Sequence, residues 1–367
     1  MSEETLPEPD CAEGAAHPRL AKQLFGHGHA EEAFLDAAKA ERIHHAWMIT
    51  GPQGIGKATL AWRLARGLLA GDIAHRSDLN FAPDEPVFRQ TAALSAPGLF
   101  LCRRGYDDKT KRLRTTIGVD EVRKMKSFFA MSSAEGGWRI GIIDAVDEMG
   151  PGAANALLKL LEEPPARTVF LIIAHQPARL LPTIRSRCRT LPLQPLSEAE
   201  MAPALSAFGW AEDTTRLMPL ADGSLGFAHL LMEADGLALY DALLDLLAQM
   251  PGFDRPKALS LAQSAVGRGA EARYDLILRL LPTALARLTR CALGQTPLEA
   301  CYPGEAELAT RLVPDLPKAQ AVASHIAQME ARAGHARRVN LDPAQVIFDM
   351  VRATDASLAG ASPSPTR

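Results

Sequence analysis

Residues 51–59 read GPQGIGKAT, and what flanks them constrains the fold more than anything else in the chain. Before them comes HAWMIT, a short run of bulky apolar residues that reads as a buried strand. After them comes ATLAWRLARGLLA, whose apolar positions 60, 64, 65, 68 and 69 share one helical face. A glycine-rich turn joining strand to helix is the start of a parallel α/β layout. The turn nearly fits G-x-x-x-x-G-K-[ST], with Gly51, Gly56 and Lys57 in place and Gly54 between them. Backbone N–H groups of such a turn, backed by a helix N-terminus, form an anion site, and Lys57 would reach the β and γ phosphates. The eighth position, which should carry a magnesium-binding hydroxyl, is Ala58. Thr59 follows one residue on, about 100° round the helix, and so points elsewhere. The residues leave two readings of this P-loop: an ordinary strand-to-helix turn with a solvated lysine, or a degenerate phosphate site that holds ATP or ADP without hydrolysing it.

Two more runs, RIGIIDA and TVFLIIA, read as buried parallel strands, and AANALLKLLEEPP is a helix stopped by Pro164 and Pro165. Together they predict a doubly wound α/β domain over residues 19–196. After TLPLQPLSEAE the strand signal ends. A small helical unit is expected over 197–236, with a Gly-Ser turn in ADGSLGFA, and leucine- and alanine-rich helices over 237–356. Residues 1–18 and 357–367 have the composition of disordered tails. Three domains, α/β plus two all-α, suit a chain of 367 residues.

Composition narrows the function classes. A hydrophobic share of 47% and a charged share of 23% belong to a globular chain. No apolar run approaches the ~18 residues of a membrane helix, and the acidic start lacks the order of a signal peptide. The expectation is a cytoplasmic protein with no membrane partner. A net charge of −3 gives no global attraction to nucleic acid. Cys11, Cys102, Cys188, Cys291 and Cys301 form no C-x-x-C pair, so neither zinc nor a disulfide framework is indicated.

The second nucleotide-handling candidate is the strand ending at Asp144, a position suited to a magnesium-facing carboxylate. Its neighbour is Ala145, which cannot orient a water. Asp147 and Glu148 lie beyond the strand and read as a solvated loop. His44 and His45 precede the first strand with no ligand-spaced partner, which favours packing or capping over metal binding. His175 follows TVFLIIA and either contacts phosphate or caps the strand.

These residues, with the run IIDAVDEMGPGAANALLKLLEEPPARTVFLIIAHQPARLLPTIRSRCRTLPLQPL, resemble the AAA+ subunits of bacterial DNA polymerase III clamp loaders. ANALLKLLEEPP and the triplet Ser186-Arg187-Cys188 are the distinctive pieces, and the motifs span about 20–236. The resemblance implies an AAA+ P-loop α/β domain, a small helical lid and a helical collar. Three positions depart from the motor subunits, gamma/tau. Ala58 replaces the loop hydroxyl, Ala145 the glutamate after the Walker B aspartate, and Gly226 the arginine after GSL. Arg187 is kept. The pattern is that of the family's delta prime branch, and it implies a subunit that does not hydrolyse ATP but lends an arginine finger to its neighbour. The implied partners are gamma/tau and delta subunits and, through the complex, the sliding clamp and primed DNA within the DNA polymerase III holoenzyme, a nucleotidyltransferase assembly.

A finger supplied in trans is worth ~10³ to 10⁵ in rate in GTPases, and a forked, permanently charged guanidinium suits the role. The same arginine could be plain surface in RSRCR. Relatives also carry a four-cysteine zinc module ahead of the Walker B strand. Only Cys102 remains in residues 71–115, so no metal is expected there. That stretch instead holds six basic residues between Arg103 and Arg114, either solvated surface or a contact for DNA or a partner. Two rival functions stay open: an autonomous AAA+ DNA-remodelling ATPase using Thr59 and Glu148 as displaced substitutes, and a scaffold without catalytic contribution.

Overall fold

A computed structural model describes residues 8–11, 15–107, 112–130, 137–210, 214–267, 269–295, 301–339 and 341–360. Most of the two expected tails, and Lys109 and Lys111 of the basic run, lie outside the described residues. The chain divides into two units, Met1–Gly209 with Asp222–Phe227, and Trp210–Ala221 with Ala228–Arg367.

In the first unit the elements run α1 (Gly28–Lys39), β1 (Ala46–Thr50), α2 (Lys57–Leu69), α3 (Pro86–Ala92), β2 (Leu99–Arg103), β3 (Tyr106–Asp107), β4 (Arg112–Leu113), α4 (Val119–Ala130), β5 (Arg139–Asp144), α5 (Pro151–Glu162), β6 (Thr168–Ala174), α6 (Pro182–Arg185), β7 (Arg189–Pro192) and α7 (Glu198–Ala207). The sheet order is β2-β5-β6-β1-β7, with every neighbouring pair parallel, while β3 and β4 form a small antiparallel hairpin.

Strands buried on both faces explain the continuous apolar runs, and their period-two alternation builds two layers. Trp47, Ile49, Ile140, Ile142, Leu171 and Ile173 pack with Phe34, Leu60 and Leu64 of α1 and α2. Met48, Ile143, Phe170 and Ile172 pack on the other face with Met125 and Phe129 of α4 and Leu157 and Leu161 of α5. Gly141 faces this second layer, where a Cβ would sit 3.2 Å from both Phe129 and Phe170. Its bare backbone admits that edge-to-face aromatic pair, with centroids 5.0 Å apart.

Parallel pairing gives the sheet two unlike edges. Thr50, Asp144, Ala174 and Pro192 end their strands at the carboxyl edge, whereas Ala46, Arg139, Thr168 and Arg189 begin theirs at the amino edge.

The second unit is helical. Its elements are α8 (Thr214–Ala221), the greater part of α9 (Leu225–Glu233), α10 (Gly236–Ala248), α11 (Arg255–Gln263), α12 (Glu271–Ala292), α13 (Glu305–Leu312), α14 (Leu316–Val339) and α15 (Pro343–Leu358). Asp342 caps α15 by accepting from the backbone N–H groups of Ala344 and Gln345, ahead of Pro343. Val346, Ile347 and Met350 are buried, whereas Leu341 is exposed. No described helix is long and apolar enough to cross a membrane.

A polar knot sits inside these helices. The Glu305 carboxylate, 1% exposed, accepts from Tyr240 Oη at 2.7 Å and from the Cys301 N–H at 3.0 Å. Arg287 Nε approaches it at 3.4 Å while its Nη1 donates to the Pro219 carbonyl at 2.8 Å. Removing one partner strands a buried charge, so Arg287→Met should cost about 3–5 kcal/mol in a denaturant-unfolding comparison. A loss under about 1 kcal/mol would mean Glu305 is satisfied without the guanidinium.

Candidate nucleotide site and the Arg187 corner

β1 ends at Thr50 and α2 starts at Lys57, and the chain between them turns through positive φ at Gly51 (142°), Gly54 (83°) and Gly56 (108°). Each carbonyl of the turn is held. Lys57 Nζ donates to Gly51 O at 2.7 Å and also to Pro52 O. Ser224 Oγ donates to Gln53 O at 2.9 Å, and the Gly226 N–H to Gly54 O at 2.9 Å. His27 Nε2 lies 2.7 Å from Ile55 O, its ring kept neutral because burial holds its pKa down. With the carbonyls tied, no acceptor among the described residues bonds the N–H groups of Gly54, Ile55, Gly56, Lys57 or Ala58. This is the geometry of an anion-binding nest.

Lys57 is 3% exposed, and burial lowers its ammonium to about 8, with Asp144 and Asp147 opposing the shift. A phosphate in the nest would restore the charge that burial disfavours. The loop thus fits a phosphate group. Magnesium fits poorly. Ala58 carries no ligating atom and packs, partly buried, against the core. Thr59 sits half-buried on the next face of α2. The Asp144 carboxyl is pushed up to about 8 by burial and by Asp10 and Glu148, which outweigh Lys57 and Arg103. At neutral pH it is mostly a carboxylic acid, although the residue as a whole keeps some exposure.

Gly226 has a physical reason of its own. A Cβ there would lie 2.9 Å from Gly54 Cα, and one on Gly54 would lie 2.4 Å from Ser224 Oγ. The two glycines are packed backbone to backbone, so the position where the motors carry an arginine has no room for a side chain toward the loop.

Asp147 and Glu148 are not a solvated loop, contrary to expectation. Asp147 accepts from the backbone N–H groups of His175 (2.5 Å) and Gln176 (2.9 Å), capping the end of β6. Glu148 pairs with Arg104 at 2.8 Å. Burial and the Lys57 charge push the His175 ring down to about 4, so it is neutral beside the site. His44 Nδ1 bonds Ala46 at the head of β1, and His45 stacks on it at 4.3 Å. Cys102 is buried and Cys188 half-buried, and desolvation pushes both thiols up to about 12.

Arg187 is elsewhere. It lies between α6 and β7, before the amino end of a strand whose other end neighbours the loop. β1 alone separates the two levels by about 13 Å, four rises of ~3.3 Å. Arg187 Nη1 donates to Thr183 O at 2.9 Å and Nη2 contacts Glu162 Oε1 at 3.0 Å, leaving the side chain 35% exposed. The structure therefore brings Gly51, Gly54, Gly56, Lys57 and Asp144 together and keeps Arg187 apart from them. The sequence had not singled out Ser224, His27 or Glu162. Ser224 and Glu162 stood within quoted motifs, ADGSLGFA and LEEPP, whereas His27 carried no signal.

A parallel sheet with a glycine-rich, lysine-bearing loop after an interior strand defines a P-loop α/β protein. A family model described as DNA polymerase III, delta subunit, matches residues 26–197. The DNA polymerase III subunit delta' of Escherichia coli K12 is 30% identical over 264 residues, covering 70% of this chain and 74% of its own length. That of Pseudomonas aeruginosa is 38% identical over 144 residues, 39% of this chain and 41% of its own. The gamma/tau subunit of Mycobacterium tuberculosis H37Rv is 29% identical over 196 residues, 52% of this chain and 31% of its own. The chain belongs to the delta prime family of DNA polymerase III subunits.

Two outcomes follow from this geometry. Gly226→Arg should not create a phosphate sensor. It should cost about 1–3 kcal/mol through overpacking against the loop, read by thermal unfolding. A stable variant with tightened nucleotide binding would contradict the backbone contact. Asp144 holds its proton up to about 8 in the fold against 3.8 when free. Its stabilising contribution is thus complete below pH 3.8 and lost as pH rises to about 8. Asp144→Asn should gain on the wild type across that window, by on the order of 1.4 kcal/mol per pH unit at most. Parallel pH profiles for the two proteins would show the carboxyl to be solvated.

Proposed function

We propose that this chain is a non-hydrolysing AAA+ stator of the DNA polymerase III clamp loader, helping to place the sliding clamp on primed DNA. It works in a cytoplasmic assembly with gamma/tau and delta subunits and lends Arg187 to the ATP of the adjacent motor. The observation that carries this reading is the placement of Arg187 at the amino edge of the sheet, remote from its own loop at the carboxyl edge. An arginine so placed can serve only a nucleotide presented by another chain. Its permanent charge would stabilise the phosphoryl transition state there. Whatever ATP or ADP the chain's own loop holds is kept without turnover, since Ala58 and Ala145 supply neither a metal ligand nor a water-orienting group. The membership of the delta prime family supports the same reading.

Nothing favours an autonomous ATPase. Glu148, its displaced catalytic candidate, is engaged by Arg104.

Steady-state ATP hydrolysis tests the proposal. The purified chain with magnesium should show no turnover. In a reconstituted complex, Arg187→Ala should slow the one adjacent site by about 10³-fold, lowering total hydrolysis by that site's share. Robust turnover by the chain alone would refute the stator. Unchanged hydrolysis by the Arg187→Ala complex would leave a pure scaffold.

A further inference from the structure

The first residues of the basic run do not face solvent freely, because the chain's own acidic start lies on them. Glu8 accepts from Arg19 Nη1 at 2.7 Å and from Arg103 Nη2 at 3.0 Å. Asp10 accepts from Arg103 Nη1 and pairs with His17 Nε2 at 3.0 Å, its side chain wholly covered. Arg104 Nη2 donates to the Pro9 carbonyl at 3.3 Å. Against the opposing effect of burial, Arg19 and Arg103 hold the Glu8 carboxyl below its ordinary range, and His17, followed by Arg103, does the same for Asp10.

Two features set this apart from ordinary packing. First, no side chain of residues 8–11 joins the buried apolar core. The segment is held by charge and by hydrogen bonds, and the partly exposed Glu8 pairs are the kind that salt and competing anions weaken. Second, the cationic side is built without it. Arg19 Nε is fixed to the Ala92 carbonyl at 2.9 Å, and His17 stands edge-on to Trp62 at 6.0 Å. Arg103 belongs to β2 and Arg104 is braced by Glu148. Exposed Arg114, whose N–H donates to the Gly105 carbonyl at 2.8 Å, follows close by in the hairpin. A preformed cluster of guanidiniums covered by carboxylates has the chemistry of a phosphate-backbone site with an internal occupant.

We propose that the segment Glu8–Asp10 occupies the Arg19–Arg103–Arg104 corner in place of a nucleic-acid backbone, and gives way to one. Guanidiniums that meet successive residues of one extended segment, Arg19 and Arg103 at Glu8, Arg104 at Pro9 and Arg103 at Asp10, suit a strand of successive phosphates better than a single terminal one. The segment then raises the threshold for binding, so the corner engages a polynucleotide only when the surrounding assembly presents it at high local concentration.

The test uses the full chain and a fluorescein-labelled single-stranded oligonucleotide, with affinity followed against salt. Glu8→Gln/Asp10→Asn should bind about tenfold more tightly than the wild type at low salt. Its log–log salt slope should be steeper by about 1.4, or about 0.7 for each of Arg19 and Arg103 released. Adding Arg19→Gln/Arg103→Gln should return both values to those of the wild type. Glu8→Gln alone, at the more exposed end, should move them part of the way and guards against a folding defect at Asp10. Equal affinities for wild type and both released variants would overturn the proposal, as would a gain that survives loss of the two arginines. Inorganic triphosphate distinguishes the source of the phosphate: competition as strong as the oligonucleotide's own would overturn the assignment to a polynucleotide.

Discussion

Strand direction is the constraint on which the functional geometry rests. Because β1, β5, β6 and β7 run the same way, all their carboxyl ends share one edge, and the glycine loop and Asp144 necessarily meet there. The same parallelism sends the residues that precede β7 to the opposite edge, and Arg187 with them. A single chain so built has the loop at one edge and Arg187 at the other, so the two cannot meet within it. On the function proposed above, each is half of a site that a neighbour completes. The apolar layers on both faces fix this polarity, since a strand reversed in the sheet would lose its crossover helix.

Five consecutive carbonyls of the loop are tied by Lys57, Ser224, Gly226 and His27, which fixes the shape of the turn. Ala58 offers no metal ligand, burial raises the Asp144 carboxyl, and the close approach of Gly54 to Gly226 leaves no room for a side chain there. On the function proposed above, phosphate recognition rests on backbone shape and is separate from the side chains that phosphoryl transfer needs.

Much of this was legible in the sequence. HAWMIT, RIGIIDA and TVFLIIA announced β1, β5 and β6 because interior strands buried on both faces must be apolar throughout. β2 was not singled out. It is an edge strand, only partly buried apart from Cys102, so LFLCR carries a weaker pattern. The loop glycines and Lys57 stood out because their spacing is local. Ser224 lies 171 residues from its partner Gln53, and no periodicity reports such a pair. Asp147 and Glu148 looked solvated because charge in a connecting segment ordinarily is, yet one caps a distant strand end and the other braces Arg104. The acidic start read as a disordered tail on composition alone. Its partners, Arg19 and Arg103, are brought to it by the fold.

The Glu162–Arg187 pair is partly exposed on both sides, and such pairs are worth little by themselves. On the function proposed above, a neighbour's triphosphate would compete for that guanidinium. The most direct measurement is therefore the structure of the complex with gamma/tau and delta subunits and a non-hydrolysable ATP analogue. The Arg187 guanidinium should lie about 3 Å from a terminal phosphate oxygen bound by the adjacent subunit. An Arg187 still turned to Glu162 and Thr183, with that phosphate met by some other cation, would contradict the account.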